Sequence, residues 1–485
     1  MQLRERTMKG IRVTLLGALC NAGLQTAILI VLARLLTPRD YGLYAAALII
    51  TQPLLTFILS PAERAIVLQE KMSTDNVASL LGLLFWVMAG LGLLVGAAGL
   101  SASYWFRYEF GMTLAACSFM LPATALATTA RATLRRELAF GKLVAVDLIA
   151  QFFGLGGVAF LCARAGLGPF SLVFGALAQT LLQATGYRWG VDGAFRMDLN
   201  FTKSFPVVKS AYMVSKISFV EIARGQVPAI FVGATLGAAT LGIFNRAYSL
   251  VQLPLELITT AVSRVLFSSF VSVRNEKERF DRAFYQTIEC VTVIVLPVAI
   301  GIAAAAPELV ATVLGKHWTA ARPLIAWIAL GSALAMTGTL FASILEVTLH
   351  LQEKLYGQIF SLVVTVLCFA LLTRYGPVDA AIAFAIAFLV YFAIQASLSI
   401  SLLGLDPFQL LARLVPALVS GISIGLYILT ARYLLRFLMP WEILLFEVAG
   451  SGLLLPAIGA ALFPRLFREL LHYSGLVDLY RSLFK

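Results

Sequence analysis

The sequence predicts an all-α integral membrane protein of about fourteen transmembrane helices, and three observations lead there. Of its 485 residues, 60% are apolar and only 13% charged, about half the roughly 25% charge of an average soluble domain. Mean hydropathy is +0.90, so too few charged side chains exist to coat the about three soluble cores that the length alone would allow. Apolar runs of spanning length recur along the chain. A spanning helix takes about 20 residues, so three-fifths of the chain accommodates about fourteen.

In order, the runs lie near 13–33, 42–60, 78–100, 112–130, 143–163 and 169–188. A second group lies near 207–234, 241–270, 287–306, 324–345, 355–373 and 378–400, and two more near 412–435 and 442–463. Charge or Pro/Gly clusters bound each run. Polar residues interrupt the second, seventh and eighth. The basic stretch from Leu3 to Arg12 precedes a run long enough to span and without a cleavage site, which reads as a retained first helix.

Lys and Arg concentrate on one side of this arrangement. Arg4/Arg6/Lys9/Arg12, Arg131/Arg135/Arg136/Lys142, Arg274/Lys277/Arg279/Arg282 and Arg465/Arg468/Arg481/Lys485 all fall there, which predicts both termini in the cytoplasm. The same loops account for the net charge of +12 without nucleic acid. The tail from Pro464 to Lys485 reads as an amphipathic helix on the anionic inner leaflet. All connections are short, which weighs against membrane polymerases and glycosyltransferases that hold an acceptor in a large loop.

A shift of 200 residues lays Tyr41-Gly42-Leu43-Tyr44 on Leu241-Gly242-Ile243-Phe244, Ala47 on Ala247 and Gln52 on Gln252. Six helices separate the copies, so they share one orientation and predict parallel pseudo-repeats. The expected organisation is an N-terminal six-helix lobe over 1–200, a second over 201–405, and two further helices with the tail over 406–485.

Charge inside a spanning helix costs about 2.5–3.5 kcal/mol and so needs a partner or a wet cavity. The seventh run carries Lys209, Lys216, Glu221 and Arg224, and its three cations fall within an arc of about 80°. The eighth carries Arg246 and Arg264, eighteen residues apart on one face, with Glu256 between them. This cationic stripe fits a hydrated cavity for an anionic substrate such as a pyrophosphate. The competing reading is snorkelling at helix ends, for Lys209 and Arg264, and a Glu221–Arg224 pair that serves packing. In the first run Thr14, Asn21 and Gln25 share a side, for substrate contact or for hydrogen bonds between helices. Glu289 is a lone intramembrane acid that either binds a coupling ion or pairs with a cation across the bundle. Lys316-His317-Trp318 reads as an interfacial anchor, with sugar stacking as the alternative.

Cys20, Cys117, Cys162, Cys290 and Cys368 are far apart, and the three histidines are His317, His350 and His472. Neither a disulfide framework nor a metal or cofactor site follows. No P-loop or HExxH occurs, so an ATP-driven pump would need a partner chain.

Three stretches resemble one family. They are Leu32-Ala33-Arg34-Leu35-Leu36-Thr37-Pro38-Arg39-Asp40-Tyr41-Gly42, Leu241-Gly242-Ile243-Phe244-Asn245-Arg246-Ala247-Tyr248 continuing to Leu253-Pro254, and Leu314-Gly315-Lys316-His317-Trp318 with Ala321. They are similar to motifs of the polysaccharide transporter family, the Wzx-type flippases for lipid-linked oligosaccharides. That family belongs to the multidrug/oligosaccharidyl-lipid/polysaccharide (MOP) exporter superfamily, whose members have about twelve to fourteen helices in two six-helix lobes. The chain departs from the pattern at Ser60-Pro61-Ala62-Glu63-Arg64, where a Gly-rich turn is common, and at Phe244 and Ser268-Ser269, in place of a Tyr and a Pro.

The resemblance implies a non-enzymatic inner-membrane flippase. It would move undecaprenyl-pyrophosphate-linked oligosaccharide outward for exopolysaccharide, capsule or O-antigen assembly, by alternating access of a cationic central cavity. Membrane lipid, a polysaccharide polymerase and export machinery are the partners it implies, and no cofactor. Arg34 and Arg246 are motif positions, for holding helix junctions or for touching substrate. The alternative is a cation-coupled multidrug exporter of the same superfamily, where acids rather than bases should dominate the cavity. A membrane acyltransferase or glycosyltransferase would need a His or paired carboxylates near a membrane face, and only His350 beside Glu346 and Glu353 comes near that.

Overall fold

A computed structural model describes residues 2–68, 74–105, 108–189, 197–198, 215–273 and 276–463. Among the described residues there is no strand. The chain divides into two compact units, residues 1–245 and 246–485.

In the first unit α1 (Gln2–Leu35) turns at once into α2 (Pro38–Leu68). The turn is written in Thr37-Pro38-Arg39-Asp40. The Thr37 amide and hydroxyl donate to Asp40 Oδ2 at 2.8 and 2.7 Å, and the Asp40 amide donates back to Thr37 Oγ1 at 3.3 Å. This is a reciprocal helix cap, with proline at the first helical position where no amide is needed. Then come α3 (Thr74–Trp105), α4 (Tyr108–Ser118) and α5 (Met120–Arg136). Next is a span made of α6 (Phe140–Ala150), a π-helical stretch (Gln151–Val158) and α7 (Ala159–Arg164), and after it α8 (Phe170–Arg188). Leu55, Leu59 and Ile66 of α2 pack on Leu80, Leu84 and Met88 of α3 and on Leu121 of α5.

The long α9 (Ser215–Val273) passes from the first unit to the second. Its one non-helical residue is Gly237, at φ 85° and ψ 174°, a backbone state open essentially to glycine alone. Here the sequence's seventh and eighth runs are joined, the junction being one residue rather than a loop.

The second unit continues with α10 (Lys277–Ala304), the short α11 (Ala306–Leu309), a π turn (Val310–Leu314) and a 3-10 turn (Lys316–Ala321). It closes with α12 (Arg322–Val347), α13 (Leu351–Leu372), α14 (Pro377–Leu403), α15 (Pro407–Leu434) and α16 (Pro440–Leu462). Phe280, Phe284 and Ile288 of α10 pack on Phe341 and Ile344 of α12 and on Ala396 of α14.

Twelve helices among the described residues are long and apolar enough to cross a membrane. One of them runs straight over Gly237 and α8 is not among them; counting α9 as two passes and adding the 19 residues of α8 gives the fourteen that the sequence predicts. Large apolar side chains such as Leu93, Leu371 and Leu453 remain exposed, as lipid-facing helices require. The chain is a multi-pass membrane protein. Trp318 differs from expectation: it is fully buried, so it is a packing residue and neither an interfacial anchor nor a sugar platform, while Lys316 and His317 beside it are exposed.

Candidate functional site

The two copies of the repeated motif meet within the first unit. A Cβ added to Gly42 would stand 1.6 Å from the Ala238 carbonyl oxygen, and one added to Gly242 would stand 1.9 Å from that of Pro38. Adding 200 to 38 and 42 gives 238 and 242, so the two contacts exchange under the repeat, as around a local two-fold axis. Only glycine lets the two backbones come so near.

Beside this crossing lies a cavity of about 940 Å³, large enough for a sizeable organic ligand. Leu43, Ile49 and Ile50 of α2 and Ile230, Gly237 and Leu241 of α9 line its apolar body. Arg39 and Glu109 also line it and pair at 2.8 Å, both largely exposed. The start of α2, the start of α4 and the break in α9 therefore share one end of the unit.

Of the sequence-predicted residues whose side chains are described, none lines this cavity. Asn21 is half-buried, while Gln25 and Arg34 are exposed on α1. Glu221 and Arg224 stand one turn apart on the first stretch of α9, where Arg224 is buried. Arg246 is half-buried and Glu256 exposed on the second stretch. Lys216 and Arg264 lie on α9, their side chains outside the described set, and Lys209 lies outside the described residues. Glu289 is buried on α10 and accepts from Arg413 of α15.

Several polar groupings had not been singled out from the sequence. Glu63, within the stretch that departs from the family pattern, receives Arg131 at 2.7 Å and Arg135 at 2.5 Å from α5. Asp147 of α6 accepts from Gln183 at 3.0 Å and from the Tyr187 hydroxyl of α8. Glu308 of α11 takes a forked pair of hydrogen bonds from Arg432 of α15, at 2.7 and 2.5 Å. Beside them Glu447 of α16 is 1% exposed. An ionisable residue inside an apolar run was the available signal for Glu447; its partners, far away in sequence, left none. His350 stands 3.0 Å from the Thr348 hydroxyl, and Glu346 is engaged by Lys354. Among the described residues no cluster of His, Cys, Asp or Glu could hold a metal.

Residues 31–323 match a family model described as "Polysaccharide biosynthesis protein". The chain is 24% identical over 318 residues to the succinoglycan biosynthesis transport protein ExoT of Rhizobium meliloti, covering 64% of this chain and 63% of that one. It thus spans a little under two thirds of that relative's length. It is 21% identical over 354 residues to the lipopolysaccharide biosynthesis protein WzxC of Escherichia coli, covering 71% and 70%. Its fold is similar to that of a solved structure of the lipid II flippase MurJ in an inward closed conformation, with a TM-score of 0.66 and 12% identity, over 99% of this chain and all of that one. With more than half its length matched, the chain belongs to this polysaccharide biosynthesis protein family.

Proposed function

We propose that the protein is a flippase that moves undecaprenyl-pyrophosphate-linked oligosaccharide repeat units across the bacterial inner membrane by alternating access. The observation that carries the reading is a polysaccharide-biosynthesis family match in a chain whose fold, over nearly its whole length, is similar to that of a lipid II flippase. The names of ExoT and WzxC support transport in polysaccharide assembly. Lys209, Lys216, Arg224, Arg246 and Arg264 are assigned to the pyrophosphate, with Arg34, Asn21 and Gln25 as further contacts. Arg offers phosphate a bidentate fork, and Lys a point charge.

A non-catalytic role goes with this reading, as the transport named for ExoT supports. The predicted cytoplasmic termini follow from the basic clusters. A polymerase and export machinery would take up the product. Cells lacking the protein should accumulate complete undecaprenyl-linked repeat units on the inner leaflet, measured by leaflet-selective labelling of the glycan. Normal translocation with polymer still made would remove the flippase reading.

A further inference from the structure

Among the twelve described helices long and apolar enough to cross a membrane, α16 (Pro440–Leu462) is the least buried, at 11% of its apolar span. Yet it carries Glu447, which is 1% exposed. Both Glu447 carboxyl oxygens are buried and have no hydrogen-bond partner among the described residues. The group lies within electrostatic reach of Glu308 and Arg432, which are themselves joined by the forked pair and by a hydrogen bond from Arg432 to the Ala304 carbonyl. The Nε and Nη2 groups of Arg432 thus go to Glu308 and to backbone, and none of these bonds reaches Glu447.

The charge balance of this group is unequal. Two carboxylates share one guanidinium, so the ionised triad carries one net negative charge in a setting poor in water. Among the described residues, the elements packed on α16 bring no further compensation. From α15 come Arg432 and Tyr427, whose hydroxyl donates instead to the Phe446 carbonyl at 2.8 Å. From α11 comes Glu308, and the π turn Val310–Leu314 carries no titratable side chain. On α16 itself, Glu442 accepts from the Met439 amide at 2.8 Å. A single bound monovalent cation makes the triad neutral, and a proton is the one that needs no coordination shell.

We propose that Glu447, with Glu308 and Arg432, forms a proton-binding site between α15, α16 and α11. Uptake forms one O–H bond on a carboxyl oxygen and leaves the Glu308–Arg432 pair intact; release returns the proton to water. Use of this proton to drive transport rests on the flippase reading, whereas the binding test does not, so the two can fail separately.

The test is infrared difference spectroscopy of the full-length protein in proteoliposomes during a pH titration. A deuterium-sensitive protonated-carboxyl stretch is expected in the unmodified protein. It should vanish in Glu447→Gln, persist in Glu353→Gln, and return at a shifted frequency in Glu447→Asp, which also guards against a folding defect in the Gln variant. An unchanged band in Glu447→Gln, or none in the unmodified protein, overturns the proposal. So does a band removed at constant pH by sodium chloride but not by potassium chloride, which would place a sodium ion there.

Discussion

Glu289 and Glu308 have the same solution to the same problem. Each is a buried carboxylate, and each receives an arginine from α15, Arg413 and Arg432 respectively. Removing one partner of such a pair leaves an uncompensated buried charge. Arg224, also buried, and Arg246 carry the flippase reading at this scale. A charge-assisted contact is worth about 1.5–3 kcal/mol, or on the order of tenfold to a hundredfold. Arg224→Ala and Arg246→Ala are expected to lower oligosaccharide export by that order at unchanged membrane abundance, measured as polymer per unit of immunodetected protein; equal export would strip both of a substrate role. Glu289 was legible in the sequence because it stands alone in an apolar run. Glu447 likewise stands in an apolar run, but nothing near it in sequence marks it as buried beside an ion pair. Partnership itself was not legible, since Glu308 and Arg432 are 124 residues apart and nothing local marks one for the other.

Both pairs between α10–α11 and α15 have that same separation of 124 residues. A constant offset means that the two segments run parallel and in register, tied by one ion pair near the middle of α15's first half and one in its last turn. Element boundaries were readable because the markers are local: Thr37-Pro38-Arg39-Asp40 for α2, and prolines at the starts of α14, α15 and α16. The continuity of α9 was not, because one glycine makes the break without a polar linker. Gly237→Ala forces an alanine into a backbone state that costs about 1–3 kcal/mol. The variant should melt at a lower temperature than the unmodified protein in detergent, read by intrinsic fluorescence; an equal melting temperature would mean that α9 relaxes at no cost.

At the scale of the whole molecule, solvent chemistry decided most of the outcome. Lipid demands long, apolar, internally hydrogen-bonded segments, and composition alone carries that demand, so class and pass number came from counting. The proposed orientation rests on loop charge, and can be checked across one helix. With the five native cysteines replaced, Lys316→Cys and Leu349→Cys place exposed thiols at opposite ends of α12. A membrane-impermeant maleimide added outside the inner membrane should label the first, and the second only after lysis. The reverse pattern would invert the topology. What composition could not supply was which helix faces pair, because among apolar surfaces in lipid the choice rests on shape and a few polar contacts.

The crossing of Gly42 with Ala238, and of Gly242 with Pro38, has a bearing on ancestry. A half-length chain holding one copy of the motif would make the same crossing with a second copy of itself, glycine against carbonyl in both directions. In such a homodimer a single substitution at that glycine would strike twice. Once the two copies lie on one chain, each can vary by itself, yet neither glycine can admit a side chain without meeting the other copy's backbone. On that reading the room for change would be narrowest at the point where the copies touch.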